Sequence, residues 1–156
     1  MGGGETTIMD ATTMDAPLPI LFGLLAAIAW IDARTQRIPD ALNLALGATG
    51  LAFVALADPT VLPAQVALAI ALAALFWSVR AIHARLTGRI GLGLGDVKFA
   101  GAAGCWLAVD QVPLFLLAST GTALVFALPL ALAGRARQRV PFGPFLCLGV
   151  ILCRFA

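Results

Sequence analysis

The chain has 156 residues, 61% of them hydrophobic and only 12% charged, with a formal net charge of +2. Soluble domains carry about a quarter charged residues, and a core this small cannot hide so much Leu, Ala, Val and Ile from water. Composition therefore excludes a soluble globular domain and makes lipid the solvent for most of the surface.

Residues 1–16 are polar and weakly acidic, with Glu5, Asp10 and Asp15 but no Lys or Arg. A secretory signal needs a basic stretch before its apolar one, so these residues read as a disordered tail. Met9 and Met14 are alternative starts. Residues 17–156 read as one polytopic membrane domain.

A bilayer core of ~30 Å needs about 20 apolar residues as helix. Charges, prolines and glycines divide the chain into six segments, at 17–32, 40–57, 62–82, 95–109, 112–134 and 142–154. The apolar runs are continuous rather than alternating, which argues against lipid-facing strands. The expected class is an all-α integral membrane protein of about six transmembrane helices. The last segment is short and opens with Pro141, Gly143 and Pro144, the mark of a partial or tilted span.

The cations fix an orientation. Arg34, Arg37, Arg80, Arg85, Arg89, Lys98, Arg135, Arg137 and Arg139 fall on one side of this arrangement, with Arg154 opposite. By the positive-inside rule the basic side is cytoplasmic and the N-terminus is outside. Of the eight acidic residues, only Asp32, Asp40 and Asp96 lie on the basic side.

Residues 16–31 and 99–109 are the uncharged parts of the first and fourth segments. The fourth is too short to cross unless it draws in residues upstream, which carries Asp96 and Lys98 to the membrane edge. Asp32 falls in the last turn of the first span. An ionisable group at such depth is costly and should face protein or a water-filled cavity. Asp32 capping a loop and Asp96 pairing with Lys98 are the structural alternatives. Before Asp96 runs GLGLGD, whose alternate glycines permit unusual backbone shapes and close chain approach. The pattern lacks GxxxxGK[ST], so it is not a phosphate loop; neither a nucleotide nor a nucleic-acid partner is expected. Ala100, Gly101, Ala103 and Gly104 then give a small-residue face suited to close helix packing.

Two neighbouring carboxyls share a proton, because both cannot ionise easily. The charged one can activate water while the neutral one donates to a carbonyl, as in aspartic proteases. Asp96 sits at a helix N-terminus and Asp32 near a C-terminus, so helix dipoles favour Asp96 as base and Asp32 as acid.

At these residues the sequence resembles the type IV prepilin peptidase family of GxGD aspartyl proteases. The segments are IDARTQRIPDALNLAL (31–46), GLGDVKFAGAAGCW (93–106) and PFGPFLCLG (141–149), with the aspartates 64 residues apart. The resemblance implies a membrane endopeptidase with Asp32 and Asp96 catalytic at the cytoplasmic face of the bacterial inner membrane, using no cofactor or metal. Gly93, Gly95 and Lys98 match the GxGD block, Pro39, Asp40 and Asn43 the first motif, and Pro141 and Gly143 the closing one. Asp40 could instead be an N-cap of the second span. The bifunctional members' methyltransferase region, with its two cysteine pairs, has no counterpart here, so pilin methylation is not expected. The short form resembles the peptidases of Tad/Flp pilus systems, whose substrates are small pilins and pseudopilins with a short basic leader.

A transporter or channel subunit using an intramembrane Asp pair is the alternative. Cys105, Cys147 and Cys153, with no CxxC and one histidine in the chain, read as buried thiols rather than zinc ligands. His83 reads as a solvated or headgroup contact, and Trp30, Trp77 and Trp106 as interfacial anchors near span ends.

Overall fold

A computed structural model of the protein describes residues 18–89, 91–132 and 141–155. The expected tail at 1–16 and the basic run of Arg135, Arg137 and Arg139 lie outside them. The described residues form helices α1 (Leu18–Thr35), α2 (Asp40–Ala57), α3 (Leu62–Thr87), α4 (Leu94–Gly104), α5 (Val112–Leu132) and α6 (Gly143–Phe155). Two 3₁₀ turns, Pro59–Val61 and Val109–Gln111, lead into α3 and α5, and no strand occurs among the described residues.

Helices α1, α2, α3 and α5 are long and apolar enough to cross a membrane. Their outer faces fit that solvent: Leu44, Leu56, Leu117 and Val125 all project outward. The inner faces follow helical spacing. Leu21, Leu25 and Ile28 line α1, Leu46 and Gly50 line α2, and Leu72 and Phe76 line α3, all buried. Around α4, α2, α3 and α6 close a common core in which Phe99, Ala100 and Ala103 are fully covered.

Sequence and structure agree on α2 and nearly on α1 and α6, but differ at α3 and α4. Helix α3 continues past 82 to Thr87 and stops where Gly88 takes φ +66°. Charged residues beyond the membrane edge do not break a helix; a left-handed glycine does.

Helix α4 is shorter than the expected 95–109. Its 11 residues span about 16 Å, roughly half of a bilayer core. The chain then turns at Cys105 and Trp106 inside the bundle, where its carbonyls must find partners within the protein. Gln65 of α3 provides them, donating from Nε2 to the Gly104 carbonyl at 2.6 Å and the Leu107 carbonyl at 2.8 Å. The close packing that allows this needs small residues. A Cβ on Gly104 would stand 2.7 Å from the Ala69 Cα, and one on Gly50 would stand 2.9 Å from the Cys105 carbonyl.

Trp106, expected as an interfacial anchor, is partly buried against the core. Its indole N–H donates to the Leu46 carbonyl in the middle of α2 at 2.8 Å, and its ring stacks on Phe53. Gln65 lies in the first turn of α3, so α4 ends beside the start of that helix. Gln65→Leu should therefore orphan two carbonyls and destabilise the bundle by about 1–3 kcal/mol. Thermal unfolding in detergent checks this; an unchanged midpoint would mean that other groups satisfy them.

Candidate active site

The inward stripes of the helices end in polar groups at one end of the bundle. On α1 the buried positions 21, 25 and 28 are followed by Asp32, at a further helical step on the same face. The residue is only 4% exposed. On α2 the stripe of Leu46 and Gly50 begins with Asn43, 6% exposed. The α3 stripe of Leu72 and Phe76 continues to the half-buried Arg80. Helix α4 contributes Asp96 in its first turn, and α6 begins at Gly143.

The first turn of α6 explains its PFGP sequence. A helix start leaves its first N–H groups without partners. Pro144 has none to satisfy, and those of Phe145 and Leu146 both reach the Phe142 carbonyl. The Gly143 N–H donates to Asp32 Oδ2 at 2.9 Å. Only glycine fits here, since a Cβ would stand 2.7 Å from that oxygen. Pro141 lies in the irregular lead-in just before this turn.

A second glycine holds the second carboxylate. The Gly93 N–H donates to Asp96 Oδ2 at 3.1 Å, so Asp96 reaches back over the start of its own helix. Gly93 has φ −69°, open to any residue, so it serves close approach rather than an unusual backbone shape. Gly95 packs against Ile38, where a Cβ would come 3.2 Å from the Ile38 Cβ. Its carbonyl accepts from Asn43 Nδ2 at 3.3 Å. Pro39 sets the start of α2, its carbonyl accepting from the Leu42 and Asn43 N–H groups. The first motif and the glycine motif are thus joined directly, and Asn43 Oδ1 stays buried with no partner among the described residues.

The structure brings Asp32 close enough for its charge to act on Asp96. Each carboxylate also accepts a backbone N–H at the N-terminus of a helix, Asp32 at α6 and Asp96 at α4. Helix dipoles therefore no longer separate the two, because Asp32 meets the N-terminus of α6 as well as the C-terminal end of its own helix.

Two readings of the flanking charges are corrected. Asp40 is the first residue of α2 rather than its N-cap, a position held by Pro39. Lys98 pairs with Asp40 at 2.7 Å, not with Asp96. Both side chains are at least half exposed, so the pair contributes about 0–1 kcal/mol. It joins α2 to α4 beside the Asn43–Gly95 contact. A groove of about 710 Å³ runs from there between the helices, lined by Leu44, Gly47, Ala48, Gly101 and Ala102.

Other singled-out residues take local roles. His83 Nδ1 contacts the Arg89 carbonyl at 3.1 Å, bracing the turn after α3. Cys105, Cys147 and Cys153 are all buried and free. Arg34 stacks its guanidinium over Trp30 at 4.0 Å. Arg80 was read from sequence as an orientation signal alone. Its place eight residues after Leu72 on one helical face was the signal available.

Comparison with known proteins adds ancestry. The type IV leader peptidase family matches residues 19–128. The prepilin leader peptidase/N-methyltransferase of Neisseria gonorrhoeae is 35% identical over 129 residues, covering 81% of this chain and 44% of that protein. Its namesake in Dickeya chrysanthemi is 36% identical over 137 residues (83% and 46%), and that of Legionella pneumophila 32% over 151 (88% and 50%). The chain thus spans about half the length of the curated relatives it matches. No solved structure matches it significantly.

Proposed function

The chain belongs to the type IV leader peptidase family, and from that premise we propose that it is a membrane aspartyl endopeptidase removing the leader from type IV pilin-like precursors. Tad/Flp pilins are the substrate class we infer within that group. One observation carries the reading: two aspartates from separate helices lie at one end of the bundle within electrostatic reach, each accepting a glycine N–H.

In the proposed reaction the pair holds one proton. The ionised carboxylate takes a proton from a water as it attacks the scissile carbonyl. The neutral carboxyl group donates to the carbonyl oxygen, giving a tetrahedral diol. Collapse of the diol protonates the leaving nitrogen, and a proton returns to the pair. Asp32 and Asp96 are the two catalytic residues. Gly93, Gly95, Asn43 and Gly143 hold their carriers in place, with Pro39, Asp40, Lys98 and Pro141 shaping the approaches.

Six membrane helices, of which α4 covers only part of the bilayer thickness, an outside N-terminus and a cytoplasmic site in the bacterial inner membrane complete the proposal. The cation distribution supports the orientation. The groove between α2 and α4 suits a single apolar substrate helix, with its basic leader left at the polar end.

Co-expression with a small prepilin, carrying a basic leader and Gly before the cut, tests the proposal. The wild-type chain should yield a product shorter by the leader, with the new N-terminus read by mass spectrometry. An uncut precursor beside correctly inserted wild-type chain overturns it, and is what a transporter would give.

A further inference from the structure

The cations at the site end divide sharply. Arg34, Arg37, Arg85, Arg89 and Lys98 are exposed, whereas Arg80 is half-buried on the α4-facing side of α3. Its guanidinium donates to the Leu92 carbonyl, within the glycine-rich turn that leads to Asp96. Its charge also acts on the Asp96 carboxylate.

We propose that Arg80 is a positioning residue of the aspartate pair, pinning the 91–95 turn through Leu92 and setting one positive charge opposite a pair that carries one negative charge. The proposal rests on the protease reading and adds a third charged group to it. An ordinary orientation signal would need neither the inward face nor the carbonyl contact.

The surroundings leave this task to Arg80. Facing the pair, α1 offers Asp32 itself, and α2 offers the neutral Asn43, its Asp40 being bound to Lys98 of α4. From α6, the buried Cys147 bonds the Ala29 backbone within reach of the Asp32 charge. On α3, His83 is engaged with the Arg89 carbonyl. Among the described residues of this set, Arg80 is the cation left to act on the pair. A planar guanidinium suits both duties, since it can hold a carbonyl with one N–H and still present its charge.

The pair titrates as a unit. Removing a nearby cation makes each loss of a proton harder, so both limbs of the bell-shaped pH–rate profile should move to higher pH. At separations of several ångströms beside a partly wet site, the shift is roughly one pH unit. Cleavage at a pH on the acid limb should fall about tenfold, with the loss in kcat rather than KM.

The experiment uses the full chain in membranes, with wild-type prepilin cleavage established first. Arg80→Gln and Arg80→Met should each displace the bell upward, Arg80→Lys should keep it in place at a several-fold lower rate, and Arg85→Gln should leave it unchanged. A bell unmoved in Arg80→Gln or Arg80→Met, or Arg80→Lys displaced as far as Arg80→Gln, overturns the role of Arg80. Should Arg80→Lys alone accumulate as folded protein, its bell decides: in place supports the proposal, displaced overturns it. Absence of wild-type cleavage strikes the protease reading instead, so the two failures are distinguishable.

Discussion

Asp32→Asn and Asp96→Asn should each lower prepilin cleavage by about 10²–10⁴-fold while leaving the fold in place. Asparagine matches aspartate in size and keeps a carbonyl oxygen that can accept the Gly143 or Gly93 N–H. What it removes is the ability to hold a negative charge or pass a proton. Both steps of the proposed reaction fail without that. Because the pair acts as one unit, the double variant should be hardly worse than either single one. Asp32→Glu should also be poor, since an extra methylene moves the carboxylate away from the Gly143 N–H, and misplacement by about 1 Å can cost 10²-fold. The assay follows the precursor-to-product ratio over time, with thermal unfolding as a check on folding. Undiminished cleavage by folded Asp96→Asn would remove Asp96 from the reaction, and the same holds for Asp32.

Gly143→Ala is the second large effect, expected to cut kcat by about 10²-fold with far less change in KM. The added methyl group would meet Asp32 Oδ2 at 2.7 Å and Cγ at 2.9 Å. Neither partner can yield easily, since Asp32 is buried and the Gly143 backbone starts α6. The carboxylate must then turn away from Asp96 or α6 must retreat. Overpacking of this kind costs roughly 1–3 kcal/mol of stability, which a multi-helix bundle can absorb. Gly23→Ala on α1 is the matched control, because a Cβ there meets nothing within 4 Å; it should cleave at the wild-type rate. A fully active Gly143→Ala would show that the contact with Asp32 plays no part in catalysis.

Much of the site was legible because its chemistry is local in the chain. An acidic residue closing an apolar stripe declares its face by helical spacing alone, as Asp32 does after Ile28. The same reasoning, continued along α3 from Leu72 and Phe76, reaches Arg80, but reading arginines only as orientation signals hides it. The fourth segment misled for a different reason. Hydropathy counts residues between charges, and nothing in that count reveals that Gln65 can cap a helix ending inside the bundle. With that cap a short helix can end within the protein, and Trp106 packs partly buried against the core with its indole N–H on Leu46.

By itself the sequence determined the apolar, all-helical character of the chain, most of its helix positions and the choice of Asp32 and Asp96 as candidates. Composition and spacing are properties of neighbouring residues and survive without knowledge of the fold. Only the tertiary structure decided that Gly143 supports Asp32 across 111 positions, that Lys98 belongs to Asp40 across 58, and that Arg80 reaches the glycine turn. Those pairings depend on how separate helices pack, and packing is set by which small residues let which backbones approach.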